Sequence, residues 1–303
     1  MLLSIAIPTY NNIKTIELAI NSCLQQSFPD DFEVVIVDNH SDDGSSELLN
    51  KIAGDNSRIK LFRNENTVSL FENHNICLKH AQGKYVLFCH SDDRLEPDAL
   101  TLVSQRLEER GYPSKYVLWG SSLFRDFYKS MHYAKNPLNT ILAGERAYIP
   151  FFYGGLTPSG TCYSRDSLLR YGGFLPTNYR LTPSDMSTML YLASQRFEFE
   201  MMDRILFDRK YSSTATVNRL STKEYWDAFD DAIGILIDKI GKGKFTSIAR
   251  NSLWLESPPV EFWFCLAKRR YYKKELIKNL IKHPLLLNLL NKNNRIFLKT
   301  ILL

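Results

Sequence analysis

The chain reads as an α/β protein: a mostly parallel sheet with helices on both faces, followed by a helical, basic C-terminal region. Three observations lead there. Apolar runs of strand length alternate with helix-period segments through the first hundred residues. Polar clusters rich in Asp, Asn and Ser follow the strands at 8–12, 38–44 and 90–93. Charge is also unevenly divided. The whole chain carries 38 Lys+Arg against 33 Asp+Glu, a net +5. Residues 251–303 alone hold ten Lys/Arg against three Glu, leaving 28 basic and 30 acidic groups in residues 1–250. A nearly neutral body with a basic tail excludes a uniformly basic nucleic-acid binder.

The elements follow in order. Leu2–Ile7 is a short apolar strand, and residues 13–26 place Ile16, Ala19, Ile20, Cys23 and Leu24 at helical spacing. Phe32–Val37 is a buried strand, Ser45–Ala53 a helix and Ile59–Phe62 a third strand. Val68–His80 fits a helix, Tyr85–Cys89 a fourth strand, and Pro97–Glu109 a helix. Such alternation builds parallel βαβ units, whose ligands bind beyond the carboxyl ends of the strands. Past residue 110 the pattern is irregular: strands at Tyr116–Trp119 and Gly160–Ser164, and helices at Asp185–Gln195, 222–240 and 260–282. The aromatic, Gly- and Pro-rich stretch 121–160 suits an acceptor-binding loop region.

Composition is ordinary for a globular chain, at 44% hydrophobic and 23% charged, which excludes fibrous and mainly disordered classes. The five cysteines show no CxxC pair or metal-ligand spacing, so reduced thiols in a cytosolic protein are expected. The first residues lack a basic segment and a long apolar stretch, and no run of 18 apolar residues occurs, so neither a secretory signal nor a membrane span is expected.

Chemistry concentrates at the strand ends. Asp38 stands where a chain turn exposes a carboxylate; it can accept from a nucleobase N–H or ribose hydroxyls, or cap a turn or helix. Asp92 and Asp93 are adjacent acids after an apolar strand. Paired carboxylates repel unless a cation sits beside them, and hard oxygen ligands suit Mg²⁺ or Mn²⁺ on a diphosphate. The plainer alternative is that one of them caps the helix near Pro97.

Three blocks carry a resemblance: Ser4-Ile-Ala-Ile-Pro-Thr-Tyr-Asn11, Val35-Ile-Val-Asp-Asn-His-Ser-Asp-Asp-Gly-Ser45 and Gly83-Lys-Tyr-Val-Leu-Phe-Cys-His-Ser-Asp-Asp93. In order and spacing they resemble the signature blocks of family 2 glycosyltransferases, over roughly residues 1–210 and most strongly over 1–100. The resemblance implies a GT-A fold (Rossmann-like) over 1–215, with a nucleotide-binding half at 1–110 and an acceptor-binding half at 111–215; beyond it, the helix-like and basic patterning makes 216–303 a helical region suited to membrane association. It implies inverting transfer from a nucleotide-diphosphate sugar, UDP-linked by preference, in synthesis of lipopolysaccharide O-antigen or another surface polysaccharide. It also implies a site: Pro8, Thr9, Tyr10 and Asn11 along the nucleotide, Asp38 and Asn39 at the base, Ser91 and Asp92 at the sugar nucleotide, and Asp92 with Asp93 on Mn²⁺ or Mg²⁺. Where the family usually has an acid, this chain has His90, which is open as a metal ligand, a phosphate donor or a turn residue.

The block Gly160-Thr-Cys-Tyr-Ser-Arg-Asp-Ser-Leu-Leu-Arg-Tyr-Gly-Gly-Phe174 resembles the family segment before its catalytic acid. Next comes Thr182-Pro-Ser-Asp185, in which Ser184 replaces the first acid of the usual pair and Asp185 is the expected general base. An inverting displacement needs one group to take the acceptor hydroxyl's proton. Asp185 also suits a first-turn acid favoured by the helix dipole. Arg209 and Lys210 can neutralise phosphate or belong to a solvated loop, and Tyr211 replaces a family histidine.

Residues 260–282 interleave Phe262, Trp263, Leu266 and Tyr271 with Lys268, Arg269, Arg270, Lys273 and Lys274. That suits an interfacial helix on anionic lipid, or an amphipathic helix packed on the body. The expected partners are thus a nucleotide sugar, a lipid-linked oligosaccharide acceptor and the cytoplasmic membrane surface, with no nucleic acid. The expected location is the inner face of the cell membrane. The departures at His90 and Ser184 keep a non-catalytic nucleotide-sugar-binding or scaffold protein as the alternative. No Gly-rich, Arg-containing phosphate loop follows the first strand, which argues against a sugar-nucleotide pyrophosphorylase.

Overall fold

The computed structural model describes residues 1–122, 138–148, 151, 159–175, 184–209, 222–245 and 247–248. Its elements in chain order are β1 (Leu3–Thr9), α1 (Ile16–Leu24), β2 (Phe32–Asp38), α2 (Ser45–Gly54), β3 (Ile59–Arg63), α3 (Leu70–His80), β4 (Tyr85–Phe88), β5 (Asp93–Leu95), α4 (Ala99–Glu109), β6 (Tyr116–Ser122), β7 (Ile141–Leu142), β8 (Thr161–Ser164), α5 (Arg165–Arg170), α6 (Ser184–Ser194), β9 (Glu198–Arg209) and α7 (Thr222–Ile240). A short 3-10 turn covers Gly144–Tyr148.

The strands form one sheet in the order β3-β2-β1-β4-β8-β6-β9-β5, with β7 beside β9. β1, β2, β3 and β4 pair in parallel, as the alternating sequence pattern predicts. The second half is mixed: β8 runs antiparallel between β4 and β6, and β5 and β7 run antiparallel to β9. The expected boundary at 110/111 falls between α4 and β6 of this continuous sheet.

Every residue of β1, β2 and β4 is buried, as a sheet covered on both faces requires. The two-residue period divides them between two cores. Ala6, Val35, Val37, Val86 and Phe88 face one side under Phe71, Cys77 and Leu78 of α3. Ile5, Ile7, Val34, Ile36 and Leu87 face the other under Ile16 and Ile20 of α1 and Val103 and Leu107 of α4. Each fully buried Val, Leu, Ile or Phe contributes about 1.5–3 kcal/mol, so these strands are held firmly up to their carboxyl ends. Pro8 is tolerated in the central β1 because β4 pairs only as far as Ala6, past which no ladder donor is needed on that side.

β9 is not among the strands expected from the sequence, where charged residues interrupt its apolar positions on both sides of Ile205-Leu206-Phe207. The strand runs twelve residues because its charged positions have partners. Glu200, 1% exposed, takes the Arg106 Nε at 2.8 Å and the Tyr116 hydroxyl. Register shifts after Gly120 bend β6 against β9, where a Cβ on Gly120 would stand 2.1 Å from the Leu206 side chain. The far end of β9 then pairs with β5, setting Arg209 opposite Asp93. Asp93 opens β5, which precedes α4, and the helix starts only at Ala99 with Asp98 as its N-cap. Neither Asp92 nor Asp93 is a helix cap.

The Gly-Gly-Phe stretch is fastened to α3. Gly173 has φ +74° and a Cβ there would lie 2.1 Å from Asn75 Oδ1. That oxygen accepts from Phe174 N at 2.7 Å, while Asn75 Nδ2 donates to the Phe174 carbonyl at 2.8 Å. The expected consequence is that Gly173→Ala loses about 1–3 kcal/mol of stability. Urea unfolding followed by circular dichroism measures it, and an unchanged midpoint contradicts the fit.

Candidate active site

The carboxyl ends of β1, β2 and β4 meet along one edge of the sheet. The loops after β1 and β2 are bonded to each other. Asn11 Nδ2 donates to Asp42 Oδ1 at 2.7 Å, and Asp42 N returns a bond to Asn11 Oδ1 at 3.0 Å. Asn11 N also donates to Ser41 Oγ at 3.0 Å. Asn11 and His40 both adopt left-handed backbone, at φ 52° and 63°. Non-glycine residues there cost energy and persist where surrounding bonds over-determine them. Tyr10 remains 36% exposed beside this edge, while Thr9 is buried with its Oγ1 lacking a hydrogen-bond partner among the described residues.

Asp38 is turned inward. Its Oδ1 accepts from Ser41 N at 3.0 Å, its Oδ2 accepts from the Ser46 hydroxyl, and Arg63 Nε lies 3.8 Å away. At 1% exposure the carboxylate performs the turn-capping role that competes with nucleotide contact. Asn39 is equally occupied: its Oδ1 accepts from Val68 N and Asn64 Nδ2, both at 2.9 Å, and its Nδ2 donates to the Val68 carbonyl at 2.9 Å.

The turn after β4 gathers the acidic motif. Asp93 N donates to the His90 carbonyl at 3.0 Å, closing the turn, and His90 N donates to Ser159 Oγ at 2.8 Å. Ser91 Oγ accepts from Asn12 Nδ2 at 2.6 Å, which ties the turn to the β1 loop. His90, Asp92 and Asp93 each offer a ligand atom, and these lie within 4.8 Å of one another. Donors about 2.1 Å from one octahedral ion stand roughly 3–4 Å apart, so a small side-chain adjustment closes the set. Two carboxylates and an imidazole suit Mn²⁺ well and Mg²⁺ through the oxygens.

Behind His90 stands a residue that the sequence reading missed. His74 of α3 is fully buried, its Nε2 lies 2.9 Å from His90 Nε2, and its Nδ1 lies 2.7 Å from the Leu70 carbonyl. Burial, and then the neighbouring His90 ring, push its pKa down to about 3, so it is neutral. The signal was available: an ionisable side chain occupies the apolar stripe of α3 with Phe71, Cys77 and Leu78.

Asp185 lies in the first turn of α6, half-buried, with Oδ1 accepting from Met186 N at 2.8 Å. It is near the Tyr163 phenol of β8, whose pKa is raised well above the usual value by burial and then by the Asp185 charge. The backbone of Arg209 is at the acidic turn through its register with Asp93. Lys210, Tyr211 and the whole basic tail 251–303 lie outside the described residues. Among the described residues, no helix is long and apolar enough to cross a membrane.

A sheet whose first half is parallel, with an acidic turn after β4 and antiparallel strands continuing it, is the GT-A glycosyltransferase class of fold. The chain belongs to glycosyl transferase family 2, whose model matches residues 4–157. It is 32% identical over 208 residues to an uncharacterised protein of Mycobacterium tuberculosis, covering 64% of this chain and 63% of that one. It is 35% identical over 111 residues to the GalNAc(5)-diNAcBac-PP-undecaprenol beta-1,3-glucosyltransferase of Campylobacter jejuni, covering 36% of this chain and 35% of that one. The chain thus spans less than two thirds of these relatives. Among solved structures, S. aureus TarS in complex with UDP-GlcNAc matches with TM-score 0.63 at 18% identity, covering 88% of this chain and 80% of that one. The mannosyltransferase PcManGT of Pyrobaculum calidifontis with GDP-Man and Mn²⁺ matches with TM-score 0.60 at 19% identity, covering 99% and 83%.

The bonding of Asn39 has a measurable consequence. Asn39→Ala strands the Val68 N–H and the Asn64 amide, and about 1–3 kcal/mol of stability should be lost. Chemical denaturation reads this, and a loss of donor affinity at unchanged stability would instead make Asn39 a ligand contact.

Proposed function

We propose that this protein is an inverting glycosyltransferase that moves a sugar from a nucleotide-diphosphate donor, UDP-linked by preference, to a lipid-linked glycan in bacterial surface-polysaccharide synthesis, the O-antigen of lipopolysaccharide being one such product. The observation that carries the reading is the His90–Asp93 turn at the end of β4 in a family 2 chain. The UDP-GlcNAc complex of TarS supports the donor class, and the name of the Campylobacter relative supports a polyprenyl-diphosphate acceptor.

In this reading Pro8, Thr9, Tyr10 and Asn11 border the nucleotide at the end of β1, and the exposed Tyr10 ring offers a face to the base. Asp38 and Asn39 shape the base pocket; contact with the base requires Asp38 to exchange one of its present bonds. Ser91 and Asp92 meet the sugar nucleotide. His90, Asp92 and Asp93 hold Mn²⁺ or Mg²⁺, which when bound offsets charge on the departing diphosphate. Arg209 and Lys210 add positive charge beside it. Asp185 takes the proton from the acceptor hydroxyl as its oxygen attacks C1 opposite the leaving group, breaking the C1–O bond and inverting the anomeric centre. The proposal keeps a glycosyltransferase domain over 1–215 and a helical region over 216–303 whose basic tail holds the body at the lipid surface.

Incubation with a panel of nucleotide sugars and Mn²⁺ tests the activity. Transfer or slow donor hydrolysis is expected, abolished by EDTA and restored by Mn²⁺; UDP binding without any turnover would favour a non-catalytic role. Asp185→Asn should lower kcat by about 10²–10⁴-fold with UDP affinity unchanged, and unaltered turnover removes the base assignment. For the tail, reversing Lys268, Arg269, Arg270 and Lys273 to Glu in the full chain should abolish co-sedimentation with anionic liposomes. Equal sedimentation of both forms contradicts membrane attachment.

A further inference from the structure

The bonding of His74 determines which nitrogen of His90 can meet a cation. A carbonyl oxygen only accepts, so the 2.7 Å contact with Leu70 requires the proton on His74 Nδ1. The buried neutral ring then has its lone pair on Nε2. The 2.9 Å contact between the two Nε2 atoms therefore has His90 as donor and His74 as acceptor. A neutral His90 held in that tautomer carries its remaining lone pair on Nδ1, and it is His90 that shares the 4.8 Å cluster with Asp92 and Asp93.

The geometry is fixed by packing as well as by bonds. Phe71, Phe88 and Phe174 surround His74 at ring separations of 5.2, 5.3 and 5.4 Å. His90 meets the His74 ring edge-on at 5.1 Å and 87°. Phe174 is itself pinned by Asn75. A polar ring in an aromatic box, bonded at both nitrogens, has little freedom to turn.

We propose that His74 is a positioning residue that holds His90 as the Nε2–H tautomer, so that His90 Nδ1 joins Asp92 and Asp93 as a nitrogen ligand and selects Mn²⁺ over Mg²⁺. This rests on the reading above that the turn holds the cation of the sugar nucleotide. Replacing an acid by imidazole exchanges a hard oxygen for a softer nitrogen. Mg²⁺ favours oxygen and water, while transition metals accept imidazole. Partners that orient a ligating histidine are worth about 10–100-fold in metal affinity.

The test compares the full-length protein with His74→Phe, His74→Gln and His90→Asp, each with Mn²⁺ alone and with Mn²⁺ plus UDP. Pulsed electron paramagnetic resonance of bound Mn²⁺ reads directly coordinated ¹⁴N, and competition titration reads the preference over Mg²⁺. The unaltered protein should show imidazole ¹⁴N coupling and prefer Mn²⁺ about tenfold or more. His74→Phe should weaken Mn²⁺ binding about 10–100-fold and diminish the coupling. His74→Gln, whose amide oxygen can accept from Nε2–H, should restore both. His90→Asp should remove the coupling and bring Mg²⁺ within a few-fold of Mn²⁺. If His74→Phe does not fold, the Gln and Asp variants carry the test. Bound Mn²⁺ without ¹⁴N coupling, an unchanged metal preference in His90→Asp, or no Mn²⁺ binding at all overturns the proposal. Failure of UDP to bind defeats the sugar-nucleotide reading alone, because the Mn²⁺ spectrum without UDP still reports on His90.

Discussion

The structure depends on where β4 stops. Phe88 is the last residue of a fully buried strand, and within five residues the chain must turn, present three metal-competent side chains and begin β5. The Asp93-to-His90 backbone bond closes that turn, Ser159 anchors it from the β8 side, and Asn12 anchors it from the β1 loop through Ser91. Two neighbouring carboxylates would repel in such a confined turn. A rigid strand end with bonds from three directions is what can hold them together ahead of a cation.

The polar residues along this edge divide into two groups. Asn11, Asp38 and Asn39 are largely engaged in holding loops, and the left-handed backbone at Asn11 and His40 shows that those loops are held under constraint. Tyr10, 36% exposed, and the half-buried His90 and Asp92 are the groups on this edge that keep surface toward solvent, His90 while bonded to His74. Preorganisation of this kind lowers the ordering cost when a charged ligand arrives. It also explains why an edge so rich in Asp and Asn does not collapse on itself.

The parallel half of the fold was legible because each strand is buried on both faces and reads as a continuous apolar run bounded by turn residues. The strand β9 was not, because its burial is satisfied through ion pairs such as Arg106–Glu200, which no local pattern displays. The acidic turn was legible as residues, and its alternative as a helix cap was excluded only by β5, which starts at Asp93 and separates the turn from α4. Asp38 shows the opposite limit: its position at the end of β2 was readable, but its inward bonds to Ser41 and Ser46 depend on how the next loop folds back. His74 was hidden because a histidine on an apolar helix face resembles any core residue until its partner across 16 residues is known.

In the proposed function, the carboxyl edge of β1, β2 and β4 binds a sugar nucleotide through the turn after β4. A crystal structure of the protein with UDP and Mn²⁺ tests it most directly. Mn²⁺ is expected on Asp92, Asp93 and the Nδ1 of His90, with the diphosphate on the metal and uracil beside Tyr10. A nucleotide bound elsewhere on the sheet, or Mn²⁺ held without these residues, would contradict it.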